Sequence, residues 1–242
     1  MQLTKHIPNT ITSMNLLSGA MGVICTFQGE MGLAFLLMLA AAVFDFCDGL
    51  SARLLKAYSP IGKELDSLAD RVSFGVLPAM MLSNTMNLHG AGWALACIPL
   101  LLAVMSGLRL AKFNVDERQS HDFIGLPTPS AAMICASLCY FIWKNPDSLP
   151  AQWAGLWWFL PAVAVALGLL LVSEVPMFGM KVEKGKKLLD TKRFIFLTVS
   201  AGMVAAVLVL RKDWSLAVFL VFSFYVLENL ILLGIPSKKE AR

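Results

Sequence analysis

The chain has little charge. Only 15% of its 242 residues are Asp, Glu, Lys or Arg and 57% are hydrophobic, where a soluble domain carries about 25% charge. So few charges cannot cover a water-facing surface, which excludes an ordinary soluble domain and leaves no basis for a nucleic-acid partner. Histidine is scarce as well. His6, His89 and His121 are dispersed, which argues against a catalytic histidine or a histidine-based metal centre. Five cysteines (Cys25, Cys47, Cys97, Cys135 and Cys139) form no CxxC pair and read as reduced, small, buried hydrophobes. No linker, low-complexity tract or internal repeat breaks the chain, so residues 1–242 read as one domain.

The sequence does contain long apolar runs. Leu33 to Val43, Trp93 to Val104, Trp157 to Val172 and Ser215 to Leu233 hold few or no charges. A bilayer core about 30 Å thick takes roughly 20 such residues per helix. Candidate spans lie near 10–28, 31–55, 64–87, 92–113, 127–143, 156–176, 193–211 and 214–235. The expected fold is an all-α, polytopic transmembrane helical bundle of about eight spans. The connecting loops differ in charge. Lys5, Lys56, Lys63, Lys112, Arg118, the lysine-rich 181–193 stretch, Lys238, Lys239 and Arg242 fall on one side, and only Lys144, Arg211 and Lys212 on the other. Positive residues stay cytoplasmic, so both termini are expected in the cytoplasm. The 181–193 stretch either attracts anionic headgroups or signals topology alone. Lys5 before an apolar stretch is suggestive of a secretory signal. Pro8-Asn9-Thr10 nevertheless reads as a helix start, and no small-residue cleavage site follows. The first span is therefore expected to be retained, in a chain that suits a bacterial cytoplasmic membrane.

Most acids fall in loops, but two groups do not. Asp45-Phe46-Cys47-Asp48-Gly49-Leu50-Ser51-Ala52-Arg53 ends the second span, and Gly62-Lys63-Glu64-Leu65-Asp66-Ser67-Leu68-Ala69-Asp70-Arg71 leads into the third. Carboxylates set into membrane segments face a cavity or a cation by default. Asp45 and Asp48 are three apart and Asp66 and Asp70 four apart, so each pair projects from one helix face. A turn at Ser59-Pro60 makes the two helices antiparallel neighbours and lets the pairs converge. Clustered carboxylates repel unless cations neutralise them. All-oxygen ligation suits Mg²⁺, Mn²⁺ or Ca²⁺ rather than zinc. Magnesium and manganese often bridge carboxylates and substrate phosphates, which points to phosphoryl chemistry. Gly49, Ala52 and Gly62 leave room beside the backbone, while Arg53 and Lys63 add positive charge for phosphates. Simple solvation, or pairing with Arg53, Lys56 and Arg71, accounts for one such acid more readily than for four at helical spacing.

Asp45, Asp48, Gly49, Ala52, Arg53, Gly62, Asp66 and Asp70 fill, position for position, the pattern D-x2-D-G-x2-A-R-x8-G-x3-D-x3-D. By this resemblance the chain is identified as a member of the CDP-alcohol phosphatidyltransferase family. The likeness covers most of the chain. Pro8-Asn9-Thr10-Ile11-Thr12 resembles the family's opening before its first helix. The segments Gly62 to Asp70, Val72 to Val76, Gly107 to Val115 and Phe123 to Ser130 resemble its phosphatidylserine synthase branch. Lys112 departs from the arginine expected there, which would weaken a bidentate anion contact.

The resemblance implies a six-helix core, usually homodimeric, with two divalent ions, Mn²⁺ or Mg²⁺, at its cytoplasmic rim. The implied reaction is CDP-diacylglycerol plus L-serine giving phosphatidylserine and CMP. Carried over by position, Asp45, Asp48, Asp66 and Asp70 would be metal ligands, and Asp70 also the base that takes the serine hydroxyl proton. Asn9, Thr12, Asp48, Gly49, Ala52, Arg53, Gly62 and Lys63 would surround the CDP-lipid. Arg109 and Lys112, beside Asn114, are candidates for the serine carboxylate or a phosphate, with membrane-edge snorkelling as the alternative. The Gly125-to-Ser130 segment would either bind an anion at a helix start or simply be rigid. No Ser, Cys or His near the motif forms a nucleophile–base pair, so direct displacement is expected. Glu174 and Glu228 lie outside the motif and are expected to pair with neighbouring helices. A sister enzyme taking glycerol phosphate or an inositol phosphate is one rival. A cation transporter is the other, though it would place acids at the midplane of broken, repeated helices.

Overall fold

Hydrocarbon offers main-chain N–H and C=O groups no water to bond, so a spanning chain satisfies them within helices. The computed structural model describes residues 6–115, 123–178 and 191–233. Its helices are α1 (His6–Phe27), α2 (Met31–Leu54), α3 (Pro60–Asp70), α4 (Leu77–Leu88), α5 (Trp93–Ala96), α6 (Leu100–Val115), α7 (Thr128–Lys144), α8 (Leu149–Ala154), α9 (Phe159–Val172), α10 (Thr191–Val209) and α11 (Trp214–Leu233). A π-helical turn, Arg71–Val76, joins α3 to α4 without a break. The expected all-α bundle is present, with one addition. Strands β1 (Phe123–Ile124) and β2 (Pro176–Met177) form a two-residue antiparallel ladder that closes the entrance of α7 against the exit of α9.

Each of the eight expected spans has a helical counterpart. Five segments are long and apolar enough to cross a membrane: His6–Phe27, Met31–Leu54, Trp93–Val115, Lys192–Val209 and Trp214–Leu233. The third span is divided by the π-turn, and α7 and α9 have 17 and 14 residues. This is an integral membrane protein. Its outer faces carry Leu36, Val43, Phe46, Leu169 and Leu208, all more than half exposed, as suits acyl chains but not water. Lys5, Arg118, His121, the lysines of 181–187 and the basic residues after 233 lie outside the described residues, so the expectations placed on them do too.

Packing follows from residue spacing. Met31, Ala34, Phe35, Met38 and Ala41 recur every three or four residues along α2 and are fully buried, largely against α1. Small residues on α1 let the third span approach. A Cβ on Gly19 would collide with Ser73 of the π-turn, and one on Gly22 would lie 2.6 Å from Leu77. The closest approach of the two is therefore at Gly19 and Gly22. Helix α7 is the hub, buried from Ser130 to Ile142 and packed by α2, α4, α9 and α11.

Outside the spans, Asp213 fastens the start of α11. Its Oδ1 accepts the Ser215 N–H at 3.0 Å and the Ser215 hydroxyl at 2.7 Å, and its Oδ2 lies 3.3 Å from Lys144 Nζ at the end of α7. Burial opposes the Asp213 charge, but the Ser215 bonds and Lys144 outweigh it and hold the carboxyl below its ordinary pKa. A depressed carboxyl stabilises above its unfolded pKa and loses that contribution as pH falls through the folded value. Asp213→Ala should cost about 1 kcal/mol at neutral pH, as loss of a helix cap does. In thermal melts the gap between variant and parent should close as the pH is taken into the acid range.

Candidate active site

The α2–α3 turn positions the aspartates. Ser59 caps α3 by accepting the Gly62 N–H at 3.0 Å, and Pro60 takes the first helical position, where its missing N–H costs nothing. The last turns of α2 thereby face α3. Oxygens of Asp45, Asp48 and Asp66 all lie within 4.8 Å of one another. Asp70 flanks this trio. Its carboxylate contacts Asp45, and its Oδ1 accepts from Asn15 Nδ2 of α1 at 3.2 Å. Asp48 is buried and the other three are half-buried. Thr12 lies against Asp48, with its hydroxyl donating to the Pro8 carbonyl at 3.0 Å.

The cluster is short of positive charge. Among the described residues no lysine or arginine forms an ion pair with any of the four acids, so pairing with Arg53, Lys56 or Arg71 does not explain them. Arg71 instead packs where only Gly107 leaves space. Asp48 Oδ2 and Asp66 Oδ1 are buried without a hydrogen-bond partner. Each such orphan costs roughly 1–3 kcal/mol or more. A divalent cation answers both problems, since it neutralises adjacent carboxylates and engages the orphaned oxygens. The all-oxygen donor set suits a hard cation, so the residues present fit the metal that their chemistry implies.

Beside the acids opens a cavity of about 580 Å³, within the range of about 300–1,000 Å³ typical of ligand pockets. Helix α1 contributes Asn9 and Thr12, α2 contributes Asp48, Gly49, Ala52 and Arg53, and α3 contributes Gly62, Lys63 and Asp66. All eight residues that the resemblance assigns to the CDP-lipid thus line one cavity. Ala57, Tyr58 and Ser59 line it too. In the sequence Ser59 marked only a turn, and nothing singled out Ala57. A Cβ on Gly62 would lie 2.9 Å from both Asn9 Oδ1 and Ser59 Oγ, so that glycine permits the α1–α3 approach. Gly49 differs, because its nearest neighbour would be Arg53 Nη2 at 3.7 Å and a side chain there would intrude on open space.

Arg109, Lys112 and Asn114 do not line this cavity. Arg109 is buried in α6, donates from Nη1 to Thr128 Oγ1 at 3.0 Å, lies over the Phe113 ring and leaves Nε without a partner. The charge of Asp70 acts on it, so it lies near the acid cluster. Lys112 is exposed, and its Nζ approaches the Val172 carbonyl at the end of α9 (3.4 Å). Asn114 donates to Ser67 Oγ at 2.9 Å, and its carbonyl faces Lys63 Nζ at 3.4 Å, fastening α6 to α3. In the Gly125-to-Ser130 segment the N–H groups of Gly125, Leu126 and Ser130 all go to main-chain carbonyls. Rigid packing accounts for that segment better than anion binding does.

Three expectations need correction. Glu174 is exposed just beyond α9 and forms no ion pair among the described residues, because the helix ends before reaching it. Glu228 is buried, but among the described residues its Oε2 has no hydrogen-bond partner and Lys192 acts on it electrostatically without an ion pair. All five cysteines are free, yet Cys97 is exposed and Cys47 half-buried, since both lie on outward faces of the bundle.

Known proteins resemble this chain in sequence. The family described as CDP-alcohol phosphatidyltransferase matches residues 5–170, well over half of the chain. A Mycobacterium tuberculosis (strain H37Rv) protein described as CDP-diacylglycerol–serine O-phosphatidyltransferase is 34% identical over 186 residues, covering 72% of this chain and 61% of its own. The chain thus spans under two thirds of the mycobacterial relative's length. A Bacillus subtilis (strain 168) protein of the same description is 35% identical over 152 residues, covering 63% of this chain and 84% of its own. A Helicobacter pylori (strain 26695) protein, again so described, is 30% identical over 194 residues, covering 79% of this chain and 80% of its own.

Proposed function

The chain belongs to the CDP-alcohol phosphatidyltransferase family, and from that premise we propose that it transfers the phosphatidyl group of CDP-diacylglycerol to L-serine, releasing CMP. The observation that carries this reading is the junction of an acid trio with a cavity lined by all eight proposed CDP-lipid residues. A further groove of about 420 Å³, on the outer face of α3 between Ile61, Leu65 and Leu68, adjoins the cavity at Pro60 and Lys63. That apolar groove suits the lipid end of such a substrate. Serine as acceptor rests on the names of the relatives.

Asp45, Asp48, Asp66 and Asp70 would hold Mg²⁺ or Mn²⁺, in two sites as the family's chemistry implies. The bound metal would neutralise the diphosphate and the charge growing on departing CMP. Arg53 and Lys63 steer the diphosphate into the cavity by charge, while Gly49 leaves space for the nucleotide. The serine hydroxyl oxygen forms the new bond to the lipid-side phosphorus, and the phosphorus–oxygen bond to CMP breaks. Asp70 accepts the hydroxyl proton as this happens, because a neutral hydroxyl is a weak nucleophile. Arg109, near Asp70 and with Nε free of a protein partner, supplies a planar donor for the serine carboxylate. The single domain 1–242, a homodimeric state, and a bacterial cytoplasmic membrane with site and termini facing the cytoplasm belong to the same proposal.

The test is purified protein with CDP-diacylglycerol and labelled serine, glycerol phosphate or inositol phosphate, each with and without chelator. The reading expects phosphatidylserine and CMP in equal amounts, from serine alone, and only while divalent metal is present. Product from a phosphorylated acceptor but not from serine would transfer the assignment to a sister enzyme. Chelator-resistant turnover would remove the metal from the chemistry.

A further inference from the structure

The mechanism above leaves one contact of Asp70 without a role. Asn15 lies in the middle of α1, on its buried face with Thr12, Ser18 and Gly19, and is 0% exposed. Its Nδ2 donates to Asp70 Oδ1 at 3.2 Å, and its own Oδ1 is buried with no partner. A buried, half-satisfied carboxamide costs on the order of 1–3 kcal/mol, a cost that leucine, of similar size, would avoid. Within α1 nothing offsets it; the group that gains is Asp70.

The main chain of the same residue is gripped as well. Ser73 Oγ donates to the Asn15 carbonyl at 3.0 Å, and Gly19, one turn on, is the residue that lets Ser73 approach. Asn15 therefore contacts residues on both sides of the junction where α3 passes into the π-turn. A π-turn changes the rotation per residue, so the direction of Asp70 relative to α1 depends on where that turn starts. Holding Asp70 at Oδ1 fixes the direction in which its other carboxylate oxygen points.

We propose that Asn15 is a positioning residue for the transfer step, fixing the rotamer of Asp70 so that one carboxylate oxygen meets the acceptor hydroxyl. This rests on the reading of Asp70 as the base. Misdirecting a reacting group by about 1 Å costs about 100-fold in rate. Asn15→Leu, in the full-length protein in detergent, should lower kcat about 30–100-fold while KM for CDP-diacylglycerol and for serine and the Kd for CDP-diacylglycerol stay within about twofold. Asn15→Ser is smaller, still polar and too short to reach Asp70, so it should give the same split if leucine packs poorly. A kcat within about threefold of the parent in either folded variant overturns the proposal. Loss of CDP-diacylglycerol binding together with turnover in both variants also overturns it, making Asn15 a scaffold residue. If Asp70→Asn keeps full activity, the base assignment fails first. If Asp70→Asn is inactive while Asn15→Leu is not, this inference alone fails.

Discussion

Asp70→Asn should lower kcat by about three orders of magnitude or more while CDP-diacylglycerol still binds within about threefold of the parent affinity, because general-base catalysis is worth about 10²–10⁴ and ligation adds to it. The substitution keeps the side chain's shape and its oxygen towards Asn15, and it removes the negative charge that accepts the proton. Binding should survive, because Asp70 is outside the trio and outside the cavity wall, whereas Asp48 and Asp66 line that wall. The measurement is turnover with labelled serine beside equilibrium binding of CDP-diacylglycerol. Near-parental kcat would remove Asp70 from the base role. Loss of binding equal to the loss of turnover would make it a ligand only.

Much of this site was legible because its chemistry clashes with its surroundings. Aspartates at helical spacing in apolar segments imply convergence, and the Ser59-Pro60 turn implies the antiparallel pair that brings it about. What stayed hidden depends on packing. The π-turn has no sequence signature in Arg71-Val72-Ser73-Phe74-Gly75-Val76, and it arises where Ser73 meets Gly19 and Gly75 meets Ser106. Asn15 carried a usable signal, a lone carboxamide inside a candidate span, but polarity alone does not say which acid it serves. Arg109, Lys112 and Asn114 looked alike at one membrane edge. Only tertiary contacts separate the buried arginine near Asp70 from the lysine at the end of α9 and from the asparagine that ties α6 to α3. The short α7 was read as an ordinary span, although burial along nearly its whole length makes it the centre of the bundle.

Asp45→Asn should separate stability from activity. Asp45 contacts both Asp66 and Asp70, and the charges of Asp48 and Asp66 act against its own. Without metal, that concentration of like charge strains the fold. Removing one charge while keeping the shape should stabilise the metal-free protein, and each 1 kcal/mol gained raises Tm by roughly 2–4 °C in a chain of this size. Metal reverses the order. A ligand that binds only the folded state stabilises it by RT ln(1 + [L]/Kd), so the parent gains most and the variant, with a weakened site, gains less. The paired expectation is a higher Tm than the parent in chelator, a lower one in saturating Mg²⁺ or Mn²⁺, and a loss of turnover of about 10³-fold or more, as removal of a unit of the catalytic apparatus produces. Thermal melts in both conditions, beside the serine assay, measure all three. A variant that melts below the parent in chelator would show that the acids are held by protein contacts rather than strained by repulsion. A metal-induced rise in Tm equal to the parent's would take Asp45 out of the ligand set.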